Sequence, residues 1–283
     1  MNMHNSSGIF RRVHATCHQA WPLALLLGTL CLPALSAQSF TDLFPPAKDK
    51  KVKKAEKKQG EEELFREETE EEKLVDAFTM RHIRFGSDWN PDPTALPQFT
   101  YQFRKALRMR CKMIDEPLEL SDPEIFKWPF LWMHAHNSFR FTKAERENLI
   151  KYLNRGGVLI ADDCSAGGAG WLPSLRAEVG KMYAGKGWEV VTPDHKRFNR
   201  LFKISYKYRT TIKTISSLHN EVFLLDDRIA IFLIHDDYGC QWEVSSPPTS
   251  ANPLGNGMHG FTSEERKRCF EFSFNIMLYL LTH

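Results

Sequence analysis

The sequence predicts an α/β fold built on an open, mostly parallel sheet, and three features predict it. Two apolar runs, Pro129 to His136 and Val158 to Ala161, are separated by a charged amphipathic segment and a Gly156-Gly157 break. A connection of that length suits a crossover and not a hairpin. The second run is short and β-compatible, as a central parallel strand covered on both faces should be. Both runs end in polar residues, His134, His136 and Asn137 on the first and Asp162, Asp163 and Cys164 on the second. Open α/β sheets bind ligands beyond those strand ends.

The first 37 residues read as a secretory signal. Arg11 and Arg12 precede the apolar run Trp21 to Leu32, and small residues follow at Ala34, Ser36 and Ala37. Cleavage is expected near Ala37, and the run is too short to favour a membrane span. Residues 38 to 77 form a charge-segregated spacer, basic over Lys48 to Lys58 and acidic over Glu61 to Lys73. With little to bury, it is expected to be solvated and partly helical.

The globular domain is expected over residues 78 to 283. Phe78 to Phe85 alternates as a strand with one buried face. A turn-rich loop, Gly86 to Pro97, leads to a helix from about Pro97 to Arg110 with Phe99, Phe103 and Ala106 on one stripe. Cys111 to Leu120 is a second strand, and Ser121 to Glu124 has capping-box spacing for a short helical turn. Thr142 and Glu145 form the capping box of the crossover helix, which Gly156-Gly157 ends. After the small-residue stretch Ser165 to Gly170 come a helix over Ser174 to Tyr183, a strand over Trp188 to Thr192 and a short helix over His195 to Phe202. Ser205 to Asn220 is a poorly patterned insertion. Residues 221 to 235 read as a β-hairpin turning at Asp226-Asp227. Thr262 and Glu265 cap a C-terminal helix that is apolar nearly all round.

The segments PFLWMHAHNSFRFTKAERENLIKYLNRGGVLIADDC and FTMRHIRFGSDWN resemble the bacterial domain of unknown function 4159 family. The resemblance covers most of the chain after Phe78 and ends at FNIMLYLL. It implies a class I glutamine amidotransferase-like, or flavodoxin-like, α/β fold, and it implies no reaction.

Composition narrows the function classes. Losing the signal removes two positive charges and no acids, taking the formal charge from +3 to +1. A near-neutral chain has no global electrostatic case for nucleic acid. Cys17 and Cys31 leave with the signal, and Cys111, Cys164, Cys240 and Cys269 remain without CxxC spacing, which excludes zinc-ribbon and thioredoxin readings. An oxidising compartment would permit disulfides among these four. Cys269, within an apolar helix, is expected to be a plain buried thiol. The Gly-rich stretch after Val158 lacks both GxGxxG and GxxxxGK[ST], so nucleotide binding has no support.

Three constellations can carry chemistry. His134, His136, Asp162 and His235 are candidate ligands for a divalent metal, since imidazole and carboxylate at strand ends are zinc-type donors. Cys164 is a candidate nucleophile with His235 and Asp237 as base and orienter, although Asp162 stands where a nucleophile elbow wants glycine. Two carboxylates beside that thiol would also suppress its thiolate. Trp89, Trp171 and Trp242 fall in predicted loops and suit a carbohydrate or protein ligand, and His136, Asn137, Asp162, Asp163, His235 and Asp236 at the strand ends join them as candidate ligand-binding residues.

The reading that follows is a periplasmic or secreted cell-envelope protein carrying a non-catalytic binding or assembly domain. Protein partners are expected, with no nucleic acid, no membrane span after cleavage and no required cofactor. A metal-assisted or cysteine-dependent hydrolase and a carbohydrate-binding module are the competing readings.

Overall fold

Strand β3 (Phe130–Ala135) is buried along all six residues and lies inside a seven-stranded sheet. The computed structural model describes residues 77–165, 170–192, 194–197 and 219–283. The expected signal segment, the charged spacer and most of the stretch from 198 to 220 lie outside these residues, as does the centre of the small-residue stretch after Cys164.

The elements run β1 (Met80–Arg84), α1 (Ala95–Leu107), β2 (Leu118–Glu119), a 3₁₀ turn (Pro123–Lys127), β3 and α2 (Lys143–Asn154). Then come β4 (Val158–Asp163), α3 (Trp171–Met182), β5 (Trp188–Val190), β6 (Glu221–Leu225) and β7 (Arg228–Ile234). A five-residue helix α4 (Tyr238–Trp242) and a long helix α5 (Ser263–Thr282) complete the order, with a second 3₁₀ turn (Met258–Gly260) between them.

The sheet order is β2-β1-β3-β4-β7-β6-β5. The first five strands pair in parallel, and β6 and β5 add to β7 in antiparallel fashion. The chain moves outward from β1 to β2 and then returns past β1 to β3. Sheets wound this way have a topological switch point at that reversal, and ligands bind at the carboxyl ends of the strands beside it.

Alternation along the strands builds a core on each face. Phe130 and Trp132 of β3, and Val158 and Ile160 of β4, join α1 and α5 residues such as Phe99 and Phe274. Leu131, Met133, Leu159 and Ala161 join Leu149 of α2 and Leu175 of α3. His134 pairs in register with Asp162, so alternation puts both on the face covered by α1 and α5.

Local signals explain the helix ends. Thr142 Oγ1 accepts from the Glu145 amide and Glu145 Oε2 accepts from the Thr142 amide, closing the capping box of α2. Gly156 takes φ 104°, a left-handed value that favours glycine, and ends the helix. Gly157 then lies under Tyr152, whose hydroxyl donates to Pro129 O at 2.8 Å and Val158 O at 3.2 Å. Thr262 and Glu265 repeat the box at α5. Among the described residues no helix is long and apolar enough to cross a membrane.

Several expected elements differ. β1 is shorter than Phe78 to Phe85 and is buried on both faces, because Arg81 and His82 are packed as well. The second strand contracts to Leu118–Glu119, with only an isolated bridge from Cys111 to Phe78. The 3₁₀ turn is capped by Asp122, which accepts from Glu124 N, and not by Ser121. Asp226 and Asp227 both take positive φ, as a tight hairpin turn requires.

Candidate functional site

The carboxyl ends of β1, β3, β4 and β7 deliver the chemistry-bearing residues to one place. Asp88 and Asp92 follow β1, His134 and His136 lie at the end of β3, Cys164 follows β4, and Asp237 and Cys240 follow β7. Asp92, Cys164, Asp237 and Cys240 are all buried, and one donor atom from each lies within 4.8 Å of the other three.

Asp92 is the hub. Cys164 Sγ donates to Asp92 Oδ2 at 3.1 Å and Cys240 Sγ donates to Oδ1 at 3.4 Å. The two sulfurs stand 3.7 Å apart and are not bonded; all four cysteines described are free thiols. His134 Nε2 accepts from the Asp92 amide at 3.3 Å, and its ring stacks on Trp132 at 3.9 Å. Asp237 takes a left-handed conformation, φ 52°, and accepts from Cys240 N to start α4. Gly239 is required by crowding, since a Cβ there would lie 2.6 Å from Asp92 Oδ2.

A second line of groups reaches Cys164 from the solvent side. His136 Nε2 is 3.2 Å from Cys164 Sγ, and its Nδ1 is 3.7 Å from Asp88 Oδ2. The same Asp88 oxygen accepts from the His136 amide at 2.8 Å and from the Asn137 amide and side chain at 2.9 Å. The His136 side chain is 44% exposed, whereas the four central residues are closed off.

The electrostatics are those of crowded acids. Burial, and then Asp237, push the Asp162 carboxyl well above the usual range. Burial raises Asp237 to about 6, with Asp92 adding to the effect and the Cys240 contact opposing it. Contact with Cys240, then burial and the carboxylates, raise the Cys164 thiol. Cys164 favours the Cys240 thiolate, yet burial and Asp237 and Asp92 carry Cys240 to about 12. Burial holds His134 neutral, well below its ordinary value. Among the described residues no lysine or arginine pairs with Asp92, Asp162 or Asp237; the His134 ring, 3.6 Å from Asp92 Oδ2, is held neutral. Buried charges are tolerated when paired or bound to metal, so this donor set can hold a cation.

Of the residues expected here, Cys164, His136 and Asp237 do come together. Asp162 spends both oxygens on backbone amides of α4, Tyr238 N at 3.0 Å and Gly239 N at 2.5 Å, and so serves as a brace. Asp163 accepts from Ser165 N and Oγ. His235 is drawn to β6: its Nε2 is 2.8 Å from Glu221 Oε2, and its amide donates to Asn220. Its Nε2 is thereby engaged at β6. The buried Asp236 receives Gln241 Nε2 on its carbonyl.

The aromatic groove does not form. Trp171 opens α3 and is buried in the core on the α2 and α3 face, while Trp242 ends α4 in the opposite core. Both rings are consumed by packing, on two sides of the sheet. Trp89 alone is half-exposed, against His82 and Arg84.

Asp92, Cys240 and Asp88 are the site residues that pattern reading missed. One signal was present: Asp236-Asp237-Tyr238-Gly239-Cys240 follows β7 much as Asp162-Asp163-Cys164 ends β4. No curated protein matches the chain. A family model described as a domain of unknown function (DUF4159) matches residues 79–281, which take in every residue of this site. The chain thus belongs to the family of that domain of unknown function.

Proposed function

We propose that this is an exported cell-envelope protein whose α/β domain is a non-catalytic binding domain, and that a cation is bound where β1, β3, β4 and β7 end. The carrying observation is the packing of the buried Asp92 and Asp237 with two buried thiols, with no lysine or arginine paired to these acids among the described residues. The signal-like N-terminus supports export. The strand order β2-β1-β3-β4-β7 supports a flavodoxin-like, amidotransferase-like frame.

The case against covalent catalysis is local. Cys164 is buried and donates to Asp92, its thiol is raised, and Asp162 occupies the position that an elbow gives to glycine. A second reading rests on one observation: Asp88, His136 and Cys164 lie in line, as orienter, base and nucleophile do in a cysteine hydrolase.

Calorimetry of the mature chain against magnesium, calcium, manganese, cobalt and zinc tests the binding reading. One equivalent of at least one ion is expected, stabilising the fold by about 2.7 kcal/mol at a hundredfold excess over Kd. Absence of binding by every ion sinks it. Rapid, stoichiometric alkylation of Cys164 at neutral pH, abolished by His136→Gln, would move the function to the hydrolase.

A further inference from the structure

We infer that the ion is a zinc-class transition metal held by Cys164, Cys240, Asp92 and Asp237, with His136 and Asp88 tuning the Cys164 sulfur from outside. The inference rests on the cation-binding reading and specifies the ion and its ligands.

Geometry is the first argument. Zinc sits about 2.3 Å from thiolate sulfur and about 2.0 Å from carboxylate oxygen, so a tetrahedral site has edges of about 3.3 to 3.8 Å. The sulfur–sulfur edge here is 3.7 Å, and the two oxygens of Asp92 lie one against each sulfur, Oδ2 at 3.1 Å from Cys164 and Oδ1 at 3.4 Å from Cys240. The four donors lie within 4.8 Å of one another, so they would draw together by about an ångström along their longer edges to surround an ion. A disulfide between the same sulfurs would need them about 2 Å apart.

Donor chemistry is the second. Magnesium and calcium take oxygen ligands in shells of six or more, whereas two sulfurs with two oxygens in a closed set of four select zinc or a close analogue. All four donors are buried, and catalytic zinc sites keep an open position, so the centre is closed and organising.

Charge is the third. Two thiolates and two carboxylates leave two negative charges over a divalent ion. His136 Nε2, 3.2 Å from Cys164 Sγ, relieves part of this, because a hydrogen bond to a metal-bound thiolate withdraws density from the sulfur. Asp88 fixes His136 through its backbone amide and stands beside Nδ1. On binding, the metal replaces the thiol protons, which pass to solvent; no redox change occurs.

Cobalt(II) and zinc(II) titration of the reduced, full-length mature chain tests the assignment. One equivalent of cobalt should give the strong visible bands of tetrahedral coordination and a sulfur-to-metal charge-transfer band, both displaced by zinc. Cys240→Ser should remove one of the two sulfur contributions to the charge-transfer band, and Cys111→Ser should leave both intact. His136→Gln should weaken zinc affinity about 10–100-fold with the circular dichroism unchanged. Uptake of calcium, magnesium or manganese without a sulfur band would overturn the ligand assignment and leave the cation-binding reading standing. Uptake of no ion by the reduced chain would remove both.

Discussion

The sulfurs of Cys164 and Cys240 stand 3.7 Å apart, unbonded, on segments separated by 76 residues of chain. Cys111 is half-buried beside the Met109 carbonyl, and Cys269 faces Ser273 within α5. Mild oxidation of the metal-free chain should therefore close Cys164 to Cys240 and leave the other two thiols free. Peptide mapping by mass spectrometry reads this directly. A disulfide containing Cys111 or Cys269 would contradict the arrangement.

Two glycines should respond to alanine with opposite signs. A Cβ at Gly157 would lie 2.3 Å from the Tyr152 ring, which two hydrogen bonds hold in place. Gly157→Ala should cost about 1–3 kcal/mol through overpacking. Gly180, exposed in the last turns of α3, has nothing within 4 Å of such a Cβ. Gly180→Ala should stabilise by about 0.4–1 kcal/mol. Urea unfolding of the two variants checks both signs.

The capping box of α5 can be tested alone. Thr262→Ala removes the acceptor for Glu265 N and should lower stability by about 1 kcal/mol. An unchanged melting temperature would mean that packing of the buried Phe270 and Phe274 sets the helix start without it.

Glu178 ties α2 to α3, with Arg146 Nε at 2.9 Å and Lys181 Nζ at 2.6 Å. Burial acts to raise its carboxyl, but the two hydrogen-bonded cations outweigh it and hold the group below its ordinary value of 4.5. A carboxyl lowered on folding stabilises the protein above its unfolded value, and the contribution fades as pH drops through the folded value. Glu178→Gln should thus lose about 1–3 kcal/mol at pH 7. The gap to the parent should narrow as pH falls below 4.5. A pH-independent gap would rule out the ionic account.

The crossover between β3 and β4 was legible because its signals are local. A capping box, a stripe of Leu149 and Leu153, and a glycine pair act within a few residues of one another. The site was half legible for the same reason. Cys164, His136 and Asp237 stand at ends of recognisable strands, but Asp92 meets Cys240 across 148 residues, and no pattern in the loop of Asp92 announces it. His235 misled because Glu221 on the next strand captures its ring. The tryptophans misled because α3 begins earlier than Pro173 suggests and α4 is only five residues long. Residues that looked like loop aromatics became core once those helices formed.

The antiparallel pair β6 and β5 contributes no residue to the cluster, yet it bears on how firmly the cluster is held. Without it β7 would be the sheet's outer strand, hydrogen-bonded on one side only and prone to fray. With β6 beside it, β7 is laddered on both edges, to β4 and to β6. Asp237 and Cys240 therefore depart from an interior strand, and Asp162 on the neighbouring strand clamps the amides between them. The pair works as an outrigger, and Glu221 at the start of β6 grips His235 just past the end of β7, two residues before Asp237.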